Sequence, residues 1–141
     1  MILKICQEYS EYTGLRHCSI SENSGEDFYH TLLNSSFTEA YKKQEQLIVD
    51  LDFVDGYASS FLDEAFGNLV FDFTKQEVEK LLKIKSDEEP HWKEMIINKT
   101  FNEWEIRRNK NSIPVVTKTH TPWYRLINEK LEENLWITPA V

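Results

Sequence analysis

Two short motifs in the middle of the chain carry residue types that could do chemistry. The first is Asp50-Leu51-Asp52, in which one apolar residue separates two acids. Alternation along a strand puts both carboxylates on one side, where they could bind Mg²⁺ or act as nucleophile and proton carrier. The second is the pair Ser59-Ser60, which stands just before an apolar helical pattern. A hydroxyl at a helix N-terminus suits a phosphate, because free N–H groups and the helix dipole stabilise negative charge.

The elements that position these motifs are predicted by the stretch from Leu47 to Val70. Its first part, 47–54, is a short apolar run rich in β-branched and aromatic residues, which is typical of a buried strand. Asp55 and Gly56 then indicate a tight turn. The sequence therefore predicts a strand that carries the acidic motif near its end and is followed by a tight turn.

The second part of this stretch predicts a helix. From Phe61 to Val70 the apolar residues recur at helical spacing and form one face. Ser60 can cap this helix, with Asp63 three residues later in a variant of the capping box. The junction of strand, turn and helix exposes backbone N–H groups and hydroxyls at a rim where ligands and partners of α/β proteins commonly bind. The candidate phosphorylation and partner-binding residues are Asp55, Gly56, Ser59, Ser60, Asp63 and Glu64.

This arrangement resembles the STAS domain, the fold of bacterial anti-sigma-factor antagonists, and more closely a STAS-like bacterial family of unknown function. The residues that carry the resemblance are Asp52-Phe53 at the strand end and 59–64, Ser-Ser-Phe-Leu-Asp-Glu, at the helix start. Gly14-Leu15-Arg16 also looks like a small Gly/Arg signature near the N-terminus of that family. The resemblance extends over roughly the first hundred residues.

The resemblance implies a non-enzymatic regulatory or protein-interaction module. In the antagonists, a partner kinase phosphorylates a serine at this turn, and Ser59 matches it by position, with Ser60 beside it. The implied partner is a kinase-like ATPase or another signalling protein. This chain carries Ala58 and Phe61 where the antagonists typically have Asp and Gly.

The acidic motif supports an alternative. The run 50–54, Asp-Leu-Asp-Phe-Val, matches the Asp-x-Asp-x-Val/Thr motif of haloacid-dehalogenase-like phosphatases, in which the first Asp attacks phosphorus with Mg²⁺. That superfamily also uses a Ser/Thr, a Lys and a later acidic pair. Lys83 or Lys85 could supply the cation, but no paired acids follow on a strand. A small Mg²⁺-dependent hydrolase using Asp50 and Asp52 is the second hypothesis.

Composition excludes several classes of protein. The net charge of −8 argues against a general nucleic-acid binder and an anionic membrane surface, since both need Lys and Arg. Cys6 and Cys18 are too few for a disulfide framework and lie in predicted strands, as buried thiols would. The four histidines lack metal-ligand spacing, so we expect no metal and no cofactor. Without a membrane-length apolar run or a secretory signal, a cytoplasmic location is expected.

The remaining pattern predicts an α/β, STAS-like domain over 1–109 with a small mixed sheet packed by helices. A first strand, 1–6, should pair with a second, 15–20, as a hairpin. Helices are predicted over 26–46 and 91–108, with a short helix from 75 and a strand at 81–85 competing for the same residues.

Residues 110–141 are predicted to form a C-terminal extension with an extended segment and a helix from Pro122. Several of its side chains are too apolar to stay together in water, and contiguous exposed apolar area usually marks an interface. We expect them to cover their own domain or to form a homodimer. These side chains are Trp123, Leu126, Ile127, Leu131 and Trp136.

Overall fold

The computed structural model describes residues 1–139. Its strands are β1 (Ile2–Lys4), β2 (Leu47–Asp50), β3 (Leu82–Lys85), β4 (Trp123–Ile127) and β5 (Lys130–Asn134). Its α-helices are α1 (Ile5–Glu8), α2 (Gly25–Phe28), α3 (Asn34–Lys43), α4 (Ser59–Phe73), α5 (Lys75–Leu81), α6 (Pro90–Met95) and α7 (Phe101–Asn109). Single π-helical turns, Tyr29–Leu33 and Ile96–Thr100, join α2 to α3 and α6 to α7. No helix among the described residues is both long and apolar enough to cross a membrane.

A small parallel sheet with strand order β1-β2-β3 forms one side of the core. Leu3, Val49 and Ile84 lie opposite one another in register and are buried, because helices cover this face. Residues on the opposite face, such as Ile2 and Lys83, are exposed. The predicted α/β class with a small sheet packed by helices is confirmed. The sheet is parallel rather than mixed, and the antiparallel pair β4-β5 stands apart from it.

Helix α4 runs through the middle of the molecule. The predicted helix over 61–70 is confirmed and extends at both ends, from Ser59 to Phe73. It is buried on nearly all sides, and its apolar residues share one core with Val49 of the sheet. A helix in this position needs partners for its polar residues, and Asn68 accordingly donates to the carboxylate of Glu64 at 2.7 Å.

The predicted hairpin between 1–6 and 15–20 is wrong. An edge strand does form within residues 1–6, but it is limited to β1 (Ile2–Lys4), because Ile5 and Cys6 begin α1, and β1 pairs in parallel with β2. Residues 15–20 form a turn-rich loop around the start of α2. The carbonyls of Leu15 and Arg16 accept hydrogen bonds from the N–H groups of Gly25 and Glu26, each at 2.9 Å. The loop thus satisfies helix-start donors that have no partner within the helix.

The predicted helix from Pro122 is also wrong, because that segment is the hairpin β4-β5. Trp123 to Ile127 is rich in aromatic and branched side chains, which fit a strand as well as a helix. Asn128 and Glu129 both have positive φ, 51° and 65°. Positive φ at both central residues is the geometry of the two-residue hairpin turn, in which Asn is favoured.

The other predicted elements are present, but the buried strand predicted over 47–54 ends at Asp50, and Phe53 is exposed in the turn that follows. The helix over 26–46 exists as α2, a π-helical turn and α3, and Ser24 caps it by accepting from Asp27 N at 3.0 Å. The helix over 91–108 exists as α6, the second π-helical turn and α7. The competing patterns near residue 81 are both correct, since α5 ends at Leu81 and β3 begins at Leu82. Cys6 and Cys18 lie outside the strands and are half-buried, contrary to prediction.

Candidate functional site

The carboxyl ends of β2 and β3 bring Asp50, Asp52 and Lys85 together. Lys85 Nζ lies 2.9 Å from Asp52 Oδ2 and 3.8 Å from Asp50 Oδ2. Asp50 Oδ1 also accepts from the backbone N–H of Asp52 at 2.9 Å. Of the two lysines that the hydrolase hypothesis offers, Lys85 therefore lies beside both acids.

Asp52 is a buried acceptor that holds the loop after β3. Its carboxylate accepts from the backbone N–H groups of Asp87 at 3.2 Å and Glu88 at 3.0 Å, besides Lys85. Burial alone would raise the pKa of Asp52, but these hydrogen bonds outweigh it and lower the pKa. The Asp52 carboxylate therefore stabilises the loop after β3, and its oxygens are oriented toward these protein donors.

The turn after β2 presents an aromatic side chain to solvent. Phe53 is 71% exposed and has φ of 65°, a left-handed conformation that is uncommon for a bulky residue. Its N–H donates to Glu88 Oε1 at 2.6 Å. The next residues of the turn are exposed and bonded to the N-terminal loop, with Asp55 N on Glu11 O at 2.8 Å and Thr13 Oγ1 on Gly56 O at 3.0 Å.

The predicted cap of α4 by Ser60 is wrong. Ser59 and Ser60 are the first two helical residues, the N-cap is Ala58, and no side-chain cap forms there. Ser59 is exposed and Ser60 is half-buried. The Ser59 hydroxyl is therefore accessible at the helix start, as the phosphorylation hypothesis requires.

Asp63 is occupied by partners from other elements, which is why it does not act in a capping box. Arg16 lies 2.8 Å from its Oδ2, and Thr100 and Trp104 donate to it at 3.1 and 3.2 Å. Arg16 also lies 3.2 Å from Glu64 Oε1, which is nearly fully buried. Burial raises the pKa of Glu64, with Asn68 and Arg16 opposing the shift.

A pocket of about 150 Å³, called here the Ser59 pocket, lies at the start of α4 and includes Asp63 in its lining. Arg16 from the N-terminal loop and Lys99 from the second π-helical turn share it with Ser59. Two cations next to an exposed serine were not part of the predicted site. The sequence signal for one of them was Gly14-Leu15-Arg16, whereas nothing local marks Lys99. The pocket is lined by Arg16, Ser59, Asp63, Met95, Lys99, Thr100 and Glu103.

A second pocket, of about 250 Å³, lies beside the strand ends. Asp52 and Tyr57 are part of its lining, and Tyr57 donates to Leu51 O at 2.7 Å. Of the predicted site residues, Ser59 and Asp63 line the Ser59 pocket, and Glu64 contacts Arg16, which also lines it. Asp55 and Gly56 belong to the separate exposed turn.

Comparison with family models finds a match over the central part of the chain. The family model described as a STAS-like domain of unknown function (DUF4325) matches residues 24–92, from the cap of α2 to the start of α6. The match is narrower than the predicted extent, and it leaves Arg16 outside. Neither the curated proteins nor the solved structures that were compared include a match. Residues 24–92 therefore match the STAS-like domain family of unknown function, the family that the resemblance predicts.

Proposed function

We propose that the protein is a non-enzymatic interaction module that binds a signalling protein through the turn 51–58 and the start of α4. The observation that carries this proposal is Phe53. A left-handed conformation costs a residue of this kind on the order of 1–3 kcal/mol, and it persists only where the surroundings enforce it. Here Glu88 holds the backbone while the ring stays in solvent.

An exposed aromatic ring on a fixed backbone is well suited to anchor a partner. Aromatic anchors contribute disproportionately to protein interfaces, and a rigid anchor loses little entropy on binding. Tyr12, which is 68% exposed, lies in the N-terminal loop that is hydrogen-bonded to the same turn. The two rings offer an apolar centre to a partner surface.

Phosphorylation of Ser59 would change the charge at the edge of this surface. A phosphate there gains from the helix N-terminus and from Arg16 and Lys99, but meets Asp63 and Glu103. Because these effects oppose one another, fold stability should change little. Partner affinity should change more, since charge at an interface rim alters electrostatic complementarity. The partner that the family resemblance implies is a kinase-like ATPase or another signalling protein.

The test is a titration of a partner recovered with the wild-type chain. Phe53→Ala should weaken binding by at least about tenfold, a loss typical of an aromatic anchor. Ser59→Asp should shift affinity, whereas Ser59→Ala should bind like the unphosphorylated protein. Ile106→Ala is the matched control, because Ile106 is a large apolar side chain, 54% exposed, on α7.

Equal binding by wild type and Phe53→Ala would contradict the proposed surface. A loss with Ile106→Ala of the same size would place the interface elsewhere. If Ser59→Asp binds like wild type and cells contain no phosphoserine at this position, the module has no switch at Ser59.

A further inference from the structure

A cluster of metal-ligating side chains lies around Glu26 of α2, outside the Ser59 pocket. One ligand atom each from Cys18, Glu26 and His120 fall within 4.8 Å of one another. His17 joins them, with Nδ1 at 3.2 Å from Glu26 Oε1. These residues come from the N-terminal loop, α2 and the C-terminal extension, so only the folded chain assembles them.

Glu26 is the centre of the cluster and is buried. Its carboxylate accepts from the backbone N–H groups of Cys18 at 3.1 Å and Thr117 at 2.9 Å, and from the Thr117 hydroxyl at 2.7 Å. These donors keep an ionised carboxylate in one orientation, which is how groups around a metal site orient its ligands.

The two histidines of this region are also held in place. His120 Nε2 lies 2.7 Å from Glu26 Oε2, and its side chain is only 6% exposed. The ring of His30, from the first π-helical turn, stacks on His120 with centroids 4.0 Å apart. His30 Nδ1 is buried and has no hydrogen-bond partner among residues 1–139. The stacked His30 ring thus helps to fix the His120 ring beside Glu26, although His30 itself is not a member of the cluster.

The cluster is reachable from solvent. Cys18 lines a surface pocket of about 300 Å³ together with two acids, Glu22 and Asp27. The hydroxyl of Ser24 lies 3.4 Å from the Cys18 sulfur, where it can donate to a thiolate. The site therefore has ligands, supporting donors and an access route that is lined by two acids and by Lys118.

We propose that Cys18, Glu26 and His120 bind a zinc ion, with His17 as the neighbouring fourth ligand. Thiolate, imidazole and carboxylate together are a zinc ligand set. Tetrahedral zinc places its ligand atoms roughly 3.3–3.8 Å apart, so shifts of about 1 Å close the present cluster around the ion. On binding, the Cys18 thiol releases its proton to solvent. Neutral His120 keeps its ring proton on the nitrogen that faces away from the metal.

The proposed zinc site would fasten the C-terminal extension to the N-terminal loop. Thr117 and His120 reach Glu26 across 91 and 94 positions of sequence. A metal bond between these segments stabilises the folded state, and the gain rises with the logarithm of the zinc concentration above Kd, because the unfolded chain does not assemble the site. This role is independent of the proposed interaction surface.

The experiment uses the full chain, stripped of metal with a chelator and then titrated with Zn²⁺ alone and with Co²⁺ alone. We expect one equivalent to bind and to raise the melting temperature. Bound Co²⁺ should show a thiolate-to-metal charge-transfer band in the near ultraviolet. Cys18→Ser should abolish that band, and both Cys18→Ser and His120→Gln should weaken Zn²⁺ binding by at least about 100-fold, beyond the usual cost of losing a supporting group.

Cys6→Ser is the matched control, since Cys6 is the other half-buried cysteine and belongs to α1. It should retain the cobalt band and the affinity of wild type. The folded state of each variant is checked by circular dichroism without metal, so that loss of the site is distinguished from unfolding. The absence of stoichiometric binding by the folded wild type would overturn the proposal, as would an unchanged affinity in folded Cys18→Ser or an equal loss in Cys6→Ser.

Discussion

Asp52 shows how one side chain at a strand end can connect three segments. It terminates the buried run of β2, pairs with Lys85 at the end of β3 and accepts from two backbone N–H groups in the loop that leads to α6. The same loop supplies Glu88, which holds the backbone of Phe53. The proposed interaction turn is therefore supported by a hydrogen-bonded carboxylate directly beneath it.

Asp52→Asn should destabilise the protein by about 1–3 kcal/mol at neutral pH, the range for losing hydrogen bonds to a charged group. The pKa of Asp52 is lowered in the folded protein, so its contribution is present above the unfolded pKa of about 3.9 and is lost as pH falls through the folded value. Urea unfolding of wild type and variant should thus converge in strongly acidic solution. A difference that grows as the pH falls would contradict this role.

Asp50 and Asp52 should not support hydrolysis. Asp52 is engaged by Lys85 and the β3 loop, and Asp50 by the N–H of Asp52, so neither is arranged as a free nucleophile. The measurement is release of phosphate with Mg²⁺ from generic and nucleotide phosphomonoesters. Turnover that Asp50→Asn abolishes would favour the hydrolase hypothesis over the interaction module.

At the scale of elements, α4 is held by close contact with α7. A Cβ placed on Gly67 would lie 2.0 Å from Cε2 of Trp104, so the indole lies directly against the helix backbone. Trp104 also donates from Nε1 to Asp63, which Arg16 contacts from the other side. The packing of two helices thus positions the acid that orients Arg16 in the Ser59 pocket.

Gly67→Ala should destabilise the protein by about 1–3 kcal/mol, because the added methyl displaces the Trp104 ring, despite the better helix propensity of Ala. Gly56→Ala is the control, since a Cβ there meets nothing within 4 Å. Chemical denaturation measures the loss of stability, and tryptophan fluorescence reports the displacement of the Trp104 ring. Equal stability of Gly67→Ala and wild type would show that α4 and α7 can separate without cost.

The two π-helical turns are the irregular parts of otherwise continuous helices. One carries His30 next to the proposed zinc ligands, and the other carries Lys99 and Thr100 at the Ser59 pocket. Such turns occur frequently at functional sites, because one extra residue reorients the side chains that follow. One π-helical turn therefore lies at each of the two proposed sites.

At the scale of the whole molecule, the C-terminal extension packs on the domain. Trp123 is 3% exposed within the core, and Arg125 Nε lies 2.7 Å from Asp72 Oδ1 on α4. The backbone of Tyr124 exchanges hydrogen bonds with the Asn34 side chain, at 2.9 and 3.0 Å. Of the two expected roles of the extension, these contacts favour covering its own domain. A homodimer formed through the extension stays a prediction.

Truncation after Asn109 should leave a chain that is poorly folded or aggregated. It uncovers the apolar surface under Trp123 and leaves buried Asp72 without Arg125, a loss that by itself costs about 3–5 kcal/mol. Light scattering measures aggregation, and thermal unfolding measures stability. The full-length variant Arg125→Ala loses only the ion pair, so it distinguishes that loss from the exposure of apolar surface. A soluble truncated monomer of unchanged stability would remove any structural role for the extension.

The unit of β2, turn and α4 was predictable because its signals are local. A short apolar run, a glycine and a helical repeat occur within 24 consecutive residues, 47–70, and burial on both elements then follows from the pattern. The family resemblance rested on the same stretch. Exposure of Ser59 and the strand-end position of Asp52 were also predictable from it.

Tertiary structure alone decided the elements and sites that depend on distant partners. Residues 15–20 and 122–131 have patterns that suit more than one structure, and their neighbours, the start of α2 and the core under Trp123, select a loop and a hairpin. Arg16 reaches Asp63 across 47 positions, and His120 reaches Glu26 across 94. Side-chain periodicity reports which face of an element is buried, but not which other element covers it, so these pairings arise only when the chain packs.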